Sequence, residues 1–178
     1  ATHTIVAQVE ALKTLVNSFG DYARPPTLHR VTLDLNALAA EVLDLYDHDA
    51  RIAFERDFAP DLPSLRADGG RLRQVLHNLL KNAIEATAER GQPRIRVATA
   101  RRTELGRDGI ELAVADNGAG LPDGFDEQWF EPYRTTKLKG TGLGLAIVAK
   151  IAQEHGGRLT PGRDASGGAR FALWLPQE

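Results

Sequence analysis

Four stretches combine residue types that could hold a charged, ring-bearing ligand. Asn78 and Asn82 stand four residues apart, so at about 100° per residue they share one flank of a helix whose apolar face centres on Leu76 and Ala83. Arg71 and Glu85 point the same way; an isolated pair of this kind is most often a solvated helix surface. Asp116, Asn117, Gly118, Ala119 and Gly120 follow an apolar strand. A carboxylate fixed at a strand end can accept a hydrogen bond from an exocyclic amine, and glycine lets backbone approach a flat ring. Taken singly, the same residues also describe an ordinary Asp-Asn-Gly turn. Glycines at 140, 142 and 144 run straight into an amphipathic helix, and backbone amides freed by glycine before a helix N-terminus suit a phosphate. Their spacing fits neither the P-loop, which needs Lys-Ser or Lys-Thr after its glycines, nor the dinucleotide fingerprint. Phe130 to Lys137 adds an aromatic anchor, hydroxyls and cations, in what could equally be a surface loop with one buried aromatic.

Something must carry these groups, and the composition says how much there is to carry them. The chain has 178 residues, 42% hydrophobic and 26% charged, enough for one well-cored domain plus a short appendage and too well mixed for disorder. A formal net charge of -2 with scattered basic residues, Arg101 and Arg102 aside, argues against nucleic acid as a partner. Without cysteine there is no disulfide framework and no thiolate metal site. No apolar run approaches the roughly 20 residues of a membrane span, and no signal-peptide pattern opens the chain, so a cytoplasmic domain without membrane contact is expected. The chain starts at Ala1, already close to an amphipathic pattern, as a fragment of a longer protein would, and any inner-membrane anchor is expected elsewhere in that protein.

Along the chain, Ile5, Val9, Leu12, Val16 and Phe19 step by four, three, four and three, the narrow seam of a bundle or coiled-coil helix. The alternative, a helix lying on this chain's own core, normally shows a wider apolar stripe. Arg24, Pro25 and Pro26 end that helix. The patterning then predicts strands at Val31 to Leu33, Arg51 to Phe58 and near Leu65, and a helix from Leu35 to about Tyr46 capped by Asp34. The best-defined element is a helix from about Gly69 to Glu89, with Asp68 as cap. A hairpin is expected from Arg94 to Arg102 and Gly109 to Ala115, turning around Gly106 and Asp108. A long loop from Asp116 to Gly140, with a short helical piece at Asp126 to Phe130, reads as a lid before a helix from about Thr141 to Glu154. Arg158 to Pro161 and Ala169 to Leu175 close the chain as paired strands.

Taken in order, the asparagine helix, Asp-Asn-Gly-Ala-Gly, Phe-Glu-Pro-Tyr-Arg-Thr-Thr-Lys and Gly-Thr-Gly-Leu-Gly-Leu resemble the N, G1, F and G2 boxes of sensor histidine kinases. Four boxes in one order are specific where each alone is not. The resemblance spans about residues 29 to 178, and the surroundings of the linker look most like nitrogen-regulation sensor kinases. It implies an α+β, two-layer sandwich of the GHKL (Bergerat) ATP-binding type: a mixed, mostly antiparallel sheet with helices on one face. One dimerisation-bundle helix would precede it. The implied division is residues 1–24 as the second helix of the dimerisation and phosphotransfer hairpin, 25–30 as linker and 31–178 as catalytic domain. ATP and magnesium are the implied ligands. The resemblance gives Asn82 to magnesium, with Asn78 beside the phosphates, and Asp116 to the adenine amine, with Gly118 and Gly120 shaping its pocket. Thr136, Lys137, Gly140, Thr141, Gly142, Leu143 and Gly144 would belong to the lid and its phosphate contacts, with Lys137 a candidate catalytic cation and Phe130 the lid's anchor.

The same fold serves the gyrase, chaperone and mismatch-repair ATPases, so fold alone does not choose the reaction. In those enzymes a glutamate four residues before the magnesium asparagine activates water. Asn78 stands there in this chain, and an amide takes up no proton at neutral pH. Transfer to another nucleophile is therefore favoured over hydrolysis. None of His3, His29, His48, His77 or His155 has the context of the family's acceptor, so the acceptor helix is expected outside this sequence. The implied partners are that helix of the full-length protein, a response-regulator receiver domain and, through the bundle, a second copy of the full-length protein. Two other readings stay open: a nucleotide-responsive interaction module without phosphotransfer, and a serine-directed kinase of the anti-sigma type, against which the bundle helix counts.

Overall fold

The computed structural model describes residues 27–132 and 142–177, together with 5, 6, 9, 12, 13, 16, 17, 19, 20 and 23. The ten early residues are helical. Seven strands follow: β1 (Val31–Leu33), β2 (Ala53–Phe58), β3 (Leu65–Ala67), β4 (Arg94–Glu104), β5 (Arg107–Asp116), β6 (Arg158–Arg163) and β7 (Ala169–Pro176). Three helices, α1 (Leu35–Asp44), α2 (Gly69–Ala86) and α3 (Gly144–Glu154), and one 3₁₀ turn (Glu127–Phe130) complete the order.

A five-stranded sheet runs β2-β4-β5-β7-β6, with β2 parallel to β4 and every other pair antiparallel. Strands β1 and β3 form a separate antiparallel pair. Side-chain alternation decides which face is buried. Ile95, Val97, Leu112, Val114, Leu173 and Leu159 are all buried and share a hydrophobic core with Leu72, Leu76 and Leu79 of α2, Val42 of α1 and Val148 of α3. The other face carries small residues, Ala98, Ala113 and Ala172 in one row, crossed by ion pairs such as Arg170 to Glu111 at 2.6 Å. This is the expected two-layer, mixed sandwich.

Several element bounds differ from the sequence expectation, and three of the differences have a clear local reason. Helix α2 ends at Ala86 rather than near Glu89, since Thr87 departs from helical geometry at φ -99° and ψ 0°, with its buried hydroxyl on the Ala83 and Ile84 carbonyls at 2.9 and 3.1 Å. The hairpin extends to Glu104 and Arg107 and turns on Leu105 and Gly106 alone. Both have positive φ, 50° and 74°, the requirement of a two-residue type I′ turn. Helix α3 starts at Gly144, not Thr141, since Gly142 at φ 67° lies outside helical space.

Candidate functional site

Helix α2 begins where Asp68 Oδ1 accepts the Arg71 amide, and its core face is filled by Leu72, Val75, Leu76, Leu79, Leu80 and Ala83. That packing fixes the rotation of the helix and leaves Asn78 and Asn82 partly buried on its flank. The Asn78 Nδ2 donates to the Gln74 carbonyl at 2.9 Å, so its amide is tied back to its own helix. Gly144, the first residue of α3, faces both asparagines: a Cβ there would lie 3.3 Å from Asn78 Oδ1 and 3.9 Å from Asn82 Nδ2. The end of the glycine segment and the asparagine pair are thus brought together across 62 residues of chain or more. Leu143, just before it, has a fully buried side chain that serves the core.

Asp116 ends β5 on the same face of the sheet as Val114 and Ile95, which directs its carboxylate toward the helical layer. It is only 6% exposed. Its Oδ1 accepts the Gly118 amide at 2.8 Å and the Ala169 amide at 3.3 Å, while Oδ2 accepts no bond among the described residues. Burial pushes this carboxyl above the usual carboxylate range; the two amides and the Arg90 charge oppose that only in part. A carboxylate with one oxygen committed and one open is suited to a donor arriving from a ligand.

The loop after Asp116 is held from several sides. A Cβ on Gly118 would sit 2.5 Å from the Ala86 carbonyl oxygen, so only glycine allows the loop to rest on the end of α2. Gly120, at φ 81°, lies where a Cβ would meet the Gly167 carbonyl oxygen at 2.6 Å. Asn117 accepts the Arg94 amide at 2.9 Å and donates to the Gln92 carbonyl at 2.8 Å. Phe130 is anchored through Phe125, whose ring meets those of Phe130 and Phe171 edge-on at 6.2 and 6.0 Å and stacks on Trp129 at 5.2 Å. Tyr133, Thr136, Lys137, Gly140 and Thr141 lie outside the described residues.

Two further contributors are not evident from residue types and spacing. The Ala169 amide and the close approach of Gly168, whose Cα side faces the Asp116 carbonyl, come from the β6–β7 turn. The Gly167-Gly168 doublet signals a turn, but which strand end it touches depends on pairing about fifty residues apart. Arg90, beyond the end of α2, donates to the Gly118 carbonyl at 2.7 Å. A separate cavity of ≈ 330 Å³ opens behind Asp116 and Asn117, and its arginines are already matched, Arg94 with Glu55 and Arg96 with Asp164.

Residues 67–178 match the family model described as histidine kinase-, DNA gyrase B-, and HSP90-like ATPase. Over 172 residues, 95% of this chain, the sequence is 37% identical to the sensor histidine kinase ZraS of Escherichia coli O157:H7, and over 162 residues, 88% of it, 39% identical to the nitrogen regulation protein NtrY of Azorhizobium caulinodans. The chain spans only 36% and 20% of those two relatives' lengths. Full-length ShkA in complex with AMPPNP superposes with a TM-score of 0.79 at 29% identity, over 93% of this chain and 36% of that one. The histidine kinase ThkA in complex with the response regulator TrrA gives the same TM-score and identity over 98% of this chain and 50% of that one.

Proposed function

The chain belongs to the histidine kinase-, DNA gyrase B- and HSP90-like ATPase family, as a catalytic ATP-binding domain of the sensor histidine kinase kind, and on that premise we propose that it binds magnesium-ATP and donates the γ-phosphoryl group to a histidine on a dimerisation helix of its full-length protein. From there the phosphoryl group passes to an aspartate of a response regulator. The ThkA complex with TrrA supports that kind of partner, and the likeness to NtrY supports nitrogen regulation as one pathway to test.

The observation that carries the kinase reading is Asn78. It occupies the position from which a glutamate would activate water, and its amide is tied to the Gln74 carbonyl. A group that neither accepts a proton at neutral pH nor is free to turn leaves water without a base. What the site offers instead is positioning, and phosphoryl transfer depends mainly on positioning and charge stabilisation. Asp116 Oδ2 would accept the adenine amine, with Gly118 and Gly120 letting the loop approach the ring. Asn78 and Asn82 face the start of α3, where backbone amides before a helix N-terminus favour phosphate. These donors fit magnesium: Asn82 would hold it through an amide oxygen, a hard ligand for a hard cation, with Asn78 beside the phosphates. When bound, the ion would neutralise charge shared between the phosphates. Lys137, Thr136, Gly140, Thr141 and Gly142 complete the phosphate side in this reading, with Leu143 and Gly144 joining the lid to α3 and Phe130 as its anchor.

We assign residues 1–24 to the second hairpin helix, 25–30 to the linker and 31–178 to the catalytic domain, in a full-length homodimer. Ile5, Val9, Leu12, Val16 and Phe19 are helical and between 52% and 60% exposed, a seam that calls for another helix. Among the described residues no helix is long and apolar enough to cross a membrane; the assignment is to a cytoplasmic domain of a protein with any inner-membrane anchor elsewhere. Mixing the chain with labelled ATP and an acceptor helix from a sensor histidine kinase should yield acid-labile phosphohistidine on that helix, and no label on the chain alone. ATP binding without transfer would favour an interaction module, and self-labelling would refute the absence of an acceptor.

A further inference from the structure

We propose that Arg90 is a positioning residue for base selection, holding the loop after Asp116 so that its carboxylate stays aimed at the adenine amine; this rests on the nucleotide reading above. Arg90 sits in the turn after α2, where its amide bonds to the Thr87 carbonyl at 2.9 Å. From there its guanidinium reaches across 28 residues of sequence to the Gly118 carbonyl, at 2.7 Å. Its side chain forms no ion pair among the described residues, so this loop carbonyl is the one directed contact of the guanidinium there.

The residue it grips is the one whose amide Asp116 accepts. The Gly118 amide donates to Asp116 Oδ1 at 2.8 Å, and the Gly118 α-carbon leaves no room for a Cβ against the Ala86 carbonyl. Gly118 is thus fixed through its amide by Asp116, through its α-carbon by the end of α2 and through its carbonyl by Arg90, and only the last of these comes from a side chain outside the loop. A glycine explores more backbone conformations than any other residue, so a loop built on one needs such external restraint. With Arg90 removed, the Gly118–Ala119 peptide loses its outside restraint, the glycine gains freedom in φ and ψ, and the amide on its other side holds Oδ1 less firmly in place. The guanidinium also places a positive charge near Asp116 and so favours its acceptor-only, ionised form.

Titration calorimetry of the chain with magnesium-ATP and with purine riboside triphosphate, which lacks the exocyclic amine, tests this role. Wild type should prefer ATP. In Arg90→Ala that preference should shrink about five- to tenfold, the scale of one charge-assisted hydrogen bond, mostly through weaker ATP binding. Its thermal midpoint should fall by no more than a few degrees, as one hydrogen bond is lost. Arg90→Lys should restore part of the preference, since one ammonium donor can reach a single carbonyl. An Arg90→Ala chain with undiminished preference, or with both nucleotides weakened equally, would overturn the inference while leaving ATP binding in place. A wild-type chain without preference would overturn the role of Asp116, and this inference with it.

Discussion

Two opposing effects meet at Asp116. Burial raises its pKa, and the Gly118 and Ala169 amides lower it less than burial raises it. A carboxyl whose pKa is higher in the folded chain binds more protons there than when unfolded. Stability therefore falls as pH climbs from the ordinary carboxylate value through the raised one. Asp116→Asn keeps an oxygen for both amides and removes the buried charge. Its thermal midpoint at pH 7 should be equal to or above that of wild type, with a flatter dependence on pH between 4 and 7. ATP affinity should meanwhile drop about tenfold, as one charge-assisted hydrogen bond is lost. A lower midpoint at pH 7 would show that the ionised carboxylate supports the fold rather than the ligand. At this scale the sequence was informative about residue type and silent about restraint. Asp116 could be singled out from its strand and glycines, whereas Arg90 and the Ala169 amide act through contacts that only the folded chain creates.

Helix α2 shows what an element contributes, because it holds the asparagines only as well as it is itself held. Asp68 caps it through Oδ1 to the Arg71 amide, and Oδ2 accepts the His29 amide at 3.0 Å, so the cap also fastens the segment entering β1. Burial works against the Asp68 charge, but the amides of His29, Arg71 and Gly70 and the nearby His155 outweigh it and hold its pKa below the usual value. That stabilisation is present above the unfolded-chain pKa and disappears as pH falls through the folded one. Asp68→Ala should cost about 1–2 kcal/mol in denaturant unfolding at pH 7, and the gap from wild type should narrow in acid. An unchanged gap at pH 3 would contradict the role of the ionised cap. The helix and its cap were legible because apolar residues at helical spacing follow an aspartate. Its end was not, because residue type does not announce that Thr87 leaves helical geometry at φ -99° and ψ 0°. The same holds for α3, whose start is displaced by the positive φ of Gly142.

For the whole molecule, the buried core begins at Leu35, and the early apolar residues that are described remain more than half exposed. A chain beginning at residue 27 should keep the thermal midpoint and ATP affinity of the full sequence; a midpoint lowered by several degrees would place the first helix on this core. The individual strands and helices were legible from their periodicity, and the two-layer, mixed and mostly antiparallel sandwich was anticipated through family resemblance, but the strand order was not. The β1–β3 pair standing apart from the main sheet was not, since nothing local tells three-residue strands which partner to take. The account stands or falls on one nucleotide held between α2 and the glycine segment. The most direct measurement is titration calorimetry with ATP, with and without magnesium, on wild type and Asn82→Ala. Wild type should bind ATP markedly tighter with magnesium, and Asn82→Ala should lose that gain while unfolding at nearly the same temperature. Equal ATP affinity and equal magnesium dependence in the two chains would contradict it.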